Sequence, residues 1–330
     1  MTKRKTVLVT GGAGYIGSHA ALTLVEHGYD VVVLDNLSTG AREAVPDGAT
    51  FVEGDVADEA LVASLVRIYG IRDVLHFAAF VDVAESVREP ELYHHNNYEK
   101  TRALLAAAKA AGVERFIFSS TAAVYGNPDI VPVPESARTE PESPYGTSKL
   151  FAERAVAKSG MQYAILRYFN VAGTNWQKGI GYRTDKEPTH LIRRVVLAML
   201  GKLDCIEVFG TDYPTHDGTA VRDYIHVRDL VQAHVDVLRY LECGGKPDVF
   251  NVGYGDGRTV LQVIEAASKI RQTPLEYLLS QRRPGDSMMV VADNSKLVKR
   301  VDWRPMYQSL GGMIRDEYDW VKSQEAQASP

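Results

Sequence analysis

Three glycines at three-residue intervals, in Thr10-Gly11-Gly12-Ala13-Gly14-Tyr15-Ile16-Gly17, constrain this chain more than any other feature. They join a short apolar run, Val7-Leu8-Val9, to a helical pattern over 16–27 that Gly28 ends. A strand that turns this tightly into a helix needs a residue without Cβ restrictions, which Gly11 supplies. Gly14 leaves the backbone open to close approach by an anionic group, and Gly17 lets helix and strand pack closely. The first amides of the helix then face that group. A second apolar run, Val31-Val32-Val33-Leu34, follows and ends at Asp35, which completes a β-α-β unit.

The alternation continues. Strands are expected over 50–53, 73–77, 116–119 and 163–166, with helices over 59–69, 98–111 and 148–158 between them. Gly70 and Gly112 stand where two of these helices should stop. Continuous apolar strands separated by helices imply a parallel sheet covered on both faces. The fold class is therefore α/β, a Rossmann-type doubly wound parallel sheet with a smaller C-terminal α/β substrate domain. Residues 1–170 read as the doubly wound domain and 171–330 as the smaller one. A helix over about 227–240 is expected to pack back on the first domain. Polar loops are expected over 174–189 and 212–223, a strand over 249–252 and a turn over 282–286.

Composition narrows the classes. Hydrophobic content of 45% and charged content of 24% suit a soluble globular chain, and a net charge of -5 leaves no nucleic-acid footprint. Cys205 and Cys243 form no C-x-x-C pair and the histidines show no ligand spacing, so neither a disulfide framework nor a metal site is expected. No stretch approaches the roughly 18 apolar residues of a membrane helix, and the apolar run after the basic start is broken by Gly11 and Gly12. A cytoplasmic protein is expected.

Two features carry chemistry. Asp35, at the end of the second strand, is placed to accept hydrogen bonds from both adenosine ribose hydroxyls and to repel a 2′-phosphate, which favours NAD over NADP. Asp55-Val56 after the third strand reads equally well as a frame for the adenine or as an ordinary turn. Tyr145 and Lys149 lie one helical turn apart on one face. A lysine ammonium there is expected to lower the tyrosine pKa, so that the phenol exchanges protons with a sugar hydroxyl near neutral pH. Y-x-x-x-K alone recurs by chance, and its weight here comes from the nucleotide fold around it.

T-G-G-x-G-x-x-G at the first strand and Y-x-x-x-K about 130 residues later resemble the extended short-chain dehydrogenase/reductases. The resemblance extends through Leu34-Asp35-Asn36-Leu37, His76-Phe77-Ala78-Ala79, Phe118 to Gly126, and Leu166-Arg167-Tyr168-Phe169-Asn170. Phe209 to Thr215 and Asp217 to Val227 narrow it to the nucleotide-sugar 4-epimerases of that family. It implies NAD as cofactor, held by Gly11, Gly14, Tyr15, Ile16, Gly17, Asp35, Asn36, Asp55, Val56, Phe77, Ala78, Ala79, Asn97, Ser119, Tyr145, Lys149 and Tyr168. It implies a UDP-sugar substrate held by Thr121, Tyr145, Phe169, Asn170, His190, Leu191, Val208, Phe209, Arg222, Tyr224, Arg283 and Asp286, with Val290 as a gate beside the sugar. Tyr145 would be the acid/base, Lys149 its electrostatic partner, and Thr121 the hydrogen-bond partner of the sugar 4-oxygen. Arg222 and Arg283 would hold the phosphates, a task that suits the guanidinium fork.

The chain departs from the family pattern at Val81, where many members carry lysine, and at Tyr98-Glu99-Lys100, which replaces a Gly-containing stretch. His190 stands where some members use asparagine. The activity implied is interconversion of UDP-glucose and UDP-galactose through a 4-keto sugar, extending to UDP-N-acetylhexosamines if the small Val290 leaves room. A UDP-pentose or UDP-uronate 4-epimerase is the alternative. A dehydratase would need an acidic pair where Ala122 and Ala123 stand, and a non-catalytic NAD(H)-sensing protein commonly lacks the tyrosine or lysine that this chain keeps. The family also implies a homodimer.

Overall fold

A computed structural model of the chain describes residues 4–183, 189–283 and 286–328. The first half is built from β1 (Thr6–Thr10), α1 (Tyr15–Glu26), β2 (Asp30–Asp35), β3 (Ala49–Glu53), α2 (Glu59–Tyr69), β4 (Asp73–His76), α3 (Val83–Arg88), α4 (Pro90–His94), α5 (Lys100–Ala111), β5 (Arg115–Thr121), α6 (Pro144–Ala157) and β6 (Gln162–Tyr168). Local chemistry sets the helix ends. The Asp58 carboxylate accepts from the Leu61 amide to open α2, and Gly70 closes it in a left-handed conformation. Pro144 at the first position of α6 follows Ser143, whose hydroxyl accepts from the Gly146 amide.

The second half follows with β7 (Asn170–Ala172), α7 (Leu191–Met199), β8 (Ile206–Phe209), β9 (Val221–His226), α8 (Val227–Glu242), β10 (Asp248–Val252), β11 (Gly257–Thr259), α9 (Val260–Arg271), β12 (Tyr277–Ser280), β13 (Met289–Val290), α10 (Ser295–Val301) and α11 (Leu310–Ala328). The expected polar loop over 174–189 and turn over 282–286 lie partly outside the described residues, at 184–188 and 284–285.

Seven parallel strands form the main sheet in the order β10-β6-β5-β4-β1-β2-β3. The order reverses between β1 and β4, which opens a crevice beyond their carboxyl ends. β1 is buried along its whole length. One face of the sheet packs on α1 and α8, with Leu24, Leu230, Leu238 and Trp303 at its centre. The other packs on α2, α5 and α6 around Leu65, Leu104, Phe118 and Val156. The strand expected over 249–252 is part of this sheet, as β10 beside β6, and not of the smaller domain. After β9, α8 carries the chain back over α1, and β10 then extends the sheet.

The smaller unit has a core of its own between α7, α9 and α11, including Val195, Ile206, Val263 and Ile314. β9 pairs with β11, β13 and β7, so Arg222 on β9 lies opposite Val290. α9 opens with a capping box between Thr259 and Gln262. No described helix is long and apolar enough to cross a membrane.

Candidate active site

Gly11 sits at φ 70°, and a Cβ there would come within 2.4 Å of the Ala78 nitrogen. A Cβ on Gly17 would lie 2.1 Å from the Gly11 carbonyl oxygen. Both glycines are thus required by backbone crowding. A Cβ on Gly14 would meet only the Gly11 oxygen, at 3.3 Å, so that edge of the turn faces open space. Gly14 caps α1 without a side-chain hydrogen bond, and no acidic residue stands in the first turn. The positive end of the α1 dipole is left for an anion, which fits a pyrophosphate. Asp35 closes the turn: its carboxylate accepts from the Ala13 amide at 2.9 Å and the Leu37 amide at 2.8 Å. These bonds fix its orientation and leave acceptor sites on both oxygens for ribose hydroxyls.

The chemistry-bearing residues meet where β5 touches α6. Lys149 Nζ donates to the Ser119 carbonyl at 2.8 Å, and Thr121, whose hydroxyl accepts from the Ala123 amide at 3.1 Å, stands beside the Tyr145 phenol. Between them, Ser120 donates to the Glu153 carboxylate at 2.5 Å. Glu153 continues the Tyr145–Lys149 stripe by one more turn and is clamped by Arg167 at 2.9 and 2.6 Å. Arg167 also donates to the Tyr125 phenol at 3.0 Å. Burial pushes Lys149 down to about 7, against the pull of Glu153. The expected lowering of Tyr145 by its lysine neighbour is not what the structure shows. Burial raises the phenol above its ordinary value, and Thr121 beside it opposes the rise. An electrostatic effect inferred from helical spacing yields here to desolvation, a property of tertiary packing.

Tyr168 ends β6 opposite Thr121 and donates its hydroxyl to His234 Nε2 at 2.5 Å. His234 Nδ1 faces the Leu230 carbonyl at 2.9 Å, which puts the ring proton on Nδ1. Burial holds this histidine down at about 4, so it is neutral, and it keeps the Tyr168 phenol protonated. Phe77 packs against the same imidazole, 4.9 Å between centroids. Ile16 packs with Ala20 and Phe77 above the switch point. Phe169 is buried with Ala122 and Tyr125, and Val290 packs on that group.

Asn97 anchors the loop that follows β4. It is fully buried, bonded to both the amide and the carbonyl of Phe80 and to the Ser148 hydroxyl. Its amide thus ties the loop after β4 to the helix of Tyr145, and its oxygen also accepts from Asn96 at 3.2 Å. The side chains of Val56 and Val208 pack in the two cores. Asp55 and Asn36 do come together, at 3.1 Å, with Lys100 as a third partner. Ala79 is half-buried beside Ala78 on the loop over Gly11.

A cavity at the junction of the two units is lined by Tyr15, Asn170, His190, Leu191 and Tyr224. Tyr182, Arg193 and Glu317 also line it. The Tyr15 hydroxyl donates to the Gly173 carbonyl at 2.5 Å and so joins α1 to the segment after β7. On the smaller unit, Arg222 meets Asp286 at 2.5 Å and Arg283 meets it at 3.3 Å. Arg283 stacks over Phe209 at 4.5 Å. Phe209, Arg222 and the Arg283–Asp286 pair, from three separate parts of the sequence, thus form one cluster. Sequence reading missed the buried Glu153–Arg167 pair, Lys100, His234 and Arg193. The signal for Glu153 was present, one further step of four residues after Lys149.

A glycine turn at a switch point, an acid ending β2, and a Tyr–Lys pair facing a hydroxyl residue across β5 define a dinucleotide-dependent enzyme of the short-chain dehydrogenase/reductase type. The chain belongs to the NAD dependent epimerase/dehydratase family, whose model matches residues 7–253. A UDP-glucose 4-epimerase of Azospirillum brasilense is 42% identical over 323 residues, 97% of this chain and 92% of that protein. A UDP-glucose 4-epimerase of Stenotrophomonas maltophila, solved with bound NAD and formylated UDP-arabinopyranose, superposes with a TM-score of 0.95 at 36% identity, covering 98% of this chain and 100% of that one. One from Bifidobacterium longum, in complex with NAD+ and UDP, gives 0.89 at 37% identity over 97% and 99%.

Proposed function

We infer that this protein is an NAD-dependent epimerase that interconverts UDP-glucose and UDP-galactose at C4. The observation that carries the reading is buried Lys149, fixed to the Ser119 carbonyl at 2.8 Å one helical turn from Tyr145, with Thr121 beside the phenol and Ala122 and Ala123 next in line. The family holds both epimerases and dehydratases. Elimination of a 6-hydroxyl needs an acid beside the threonine, and two methyl groups supply none.

Residues 1–170, with α8 and β10, hold NAD; the remainder holds the UDP-sugar. Gly11, Gly14 and Gly17 with the α1 amides take the pyrophosphate, and Asp35 takes the adenosine ribose. When bound, NAD supplies a hydride acceptor and then a hydride donor at the sugar C4. Tyr145 removes the 4-hydroxyl proton as that carbon is oxidised and returns a proton when it is reduced. Thr121 orients the sugar oxygen toward the phenol. Lys149, anchored to the Ser119 carbonyl, holds positive charge beneath Tyr145 and stabilises phenolate once a ligand excludes water from the site. Arg222, Arg283, Asp286, Asn170 and His190 grip the UDP while the 4-keto sugar turns between its two faces. The Arg222–Asp286 contact is a preformed ion pair that the nucleotide must reorganise on entry.

Val290, small and beside Phe169, supports a second activity on UDP-N-acetylhexosamines. A cytoplasmic homodimer belongs to the same reading, supported by likeness to the family. Tyr145→Phe tests the central role. Turnover of UDP-galactose should fall by at least about a thousandfold with NAD still bound. Activity within about tenfold of wild type would remove the phenol from the chemistry.

A further inference from the structure

Three segments distant in sequence meet at the adenosine end of the crevice. Asn36 follows β2, Asp55 follows β3, and Lys100 opens α5. Lys100 Nζ donates to Asp55 Oδ2 at 2.6 Å, and Asn36 Nδ2 donates to the same oxygen at 3.1 Å. The Ala57 amide donates to Oδ1 at 2.9 Å. A carboxylate offers about four acceptor sites. With three occupied, one remains on Oδ1, and turning the group to offer another would break all three bonds. The side chains of Lys100 and Asp55 are 21% and 34% exposed, so the pair is only partly shielded from solvent.

Lys100 also stands where a π-turn, His95–Glu99, passes into α5. Such turns are frequent at functional positions. This one carries Asn97, which binds the Phe80 loop and Ser148 on the helix of Tyr145. The start of α5 is thus attached to both ends of the crevice, through Asn97 at the reacting end and Lys100 at the other. Charge gives the second argument. Asp35 and Asp55 end neighbouring strands, and a pyrophosphate would add further negative charge nearby. Asp35 is bonded only to backbone amides, whereas Asp55 has a cation against it.

We propose that Lys100 is a cofactor-retention residue: its ion pair with Asp55 fixes the one free acceptor that the exocyclic amino group of an aminopurine meets, and offsets carboxylate charge beside a dianionic diphosphate. The inference rests on the NAD reading above and extends it to how long the cofactor stays. The pair is partly exposed and therefore screened by salt, so retention is sensitive to ionic strength.

The test is release of NAD from purified holoenzyme, followed by exchange against excess isotopically labelled NAD. Lys100→Met should release the cofactor about fivefold faster than wild type at low ionic strength, the scale of a partly exposed ion pair. Raising ionic strength from about 20 mM to about 500 mM should accelerate wild type toward the variant's rate and leave the variant nearly unchanged. Lys100→Arg should restore slow release. Asp55→Asn combined with Lys100→Met should be no faster than Asp55→Asn alone, because the two act as one unit. Wild-type release from the methionine variant, or an equal salt response in both proteins, overturns the proposal. A wild-type protein that binds no NAD at all would instead defeat the reading of the crevice, a result distinct from retention that Lys100 does not affect.

Discussion

Replacing Lys149 by methionine removes a buried charge and keeps most of the side-chain volume, and the structure sets the sign and size of the effect. The ammonium is 3% exposed and makes one hydrogen bond, to the Ser119 carbonyl, with the Phe118 ring 4.9 Å away. Burial lowers its pKa from 10.5 to about 7. That gap corresponds to about 5 kcal/mol of folding stability. Below pH 7 the lysine is charged in both folded and unfolded chains, and the whole penalty is present. Between 7 and 10.5 the unfolded chain keeps a proton that the folded chain has released, so this group makes stability rise with pH by about 1.4 kcal/mol per pH unit. Above 10.5 it is neutral in both states and the dependence ends. Methionine has no such slope. Its one cost is the Ser119 carbonyl left without a partner, about 1–3 kcal/mol. At pH 6 the variant should therefore be more stable than wild type by about 2–4 kcal/mol, and near pH 10 the order should reverse. Urea unfolding of the nucleotide-free proteins across this range, read from the fluorescence of buried Trp303 and Trp320, gives the difference directly. A constant difference from pH 6 to 10, or a variant less stable at pH 6, would refute the reasoning. The expected trade, stability given up for a charge held under the phenol, is common at active sites.

Three further variants have measurable outcomes. Gly11→Ala forces a Cβ against the Ala78 backbone at a left-handed φ, so it should lose more than about 2 kcal/mol in thermal or urea unfolding together with NAD binding; an unchanged midpoint counts against the crowding. Glu153→Gln leaves the Arg167 cation buried without its counter-charge and should cost about 3–5 kcal/mol in urea unfolding. In the same variant Lys149 loses the charge that holds its proton, so the alkaline limb of the rate profile should move to lower pH; an unmoved limb would separate Glu153 from the chemistry. Val290→Tyr fills the space beside Phe169 and should lower kcat/KM for UDP-N-acetylglucosamine by about tenfold or more while sparing UDP-galactose; equal losses for both would show general disruption and no gate.

What was legible in the sequence divides along the range of the interactions. The β-α-β alternation could be read because each apolar run and each glycine stop is a local signal, and the main sheet follows from it. The placement of Val249-Phe250-Asn251-Val252 could not, since the run would look the same in either sheet. It joins β6 because α8 carries the chain back across α1. Arg222, Arg283 and Asp286 were identifiable only by resemblance, and tertiary folding brings Arg222 to within 2.5 Å of Asp286. Asn97 shows the limit from the other side. Its place in the family pattern implied cofactor contact, and no local signal showed the bonds to Phe80 and Ser148 by which it holds the loop after β4.

The pairing of β5 with α6 explains why the catalytic stripe was half legible. Helical spacing put Tyr145 and Lys149 on one face, and the same spacing puts Glu153 there. Each faces a different consecutive residue of one strand: Thr121 stands beside the phenol, the Ser119 carbonyl binds the ammonium, and the Ser120 hydroxyl binds the carboxylate. Arg167, from the neighbouring strand, then neutralises the deepest member. A helix fastened at three successive turns cannot slide or rotate without breaking a buried ion pair. The position of the phenol is therefore secured by an interaction two helical turns away that takes no part in the chemistry. Spacing shows which residues share a face; only the burial of that face decides which of them carries charge, and for Lys149 that decision falls near neutral pH.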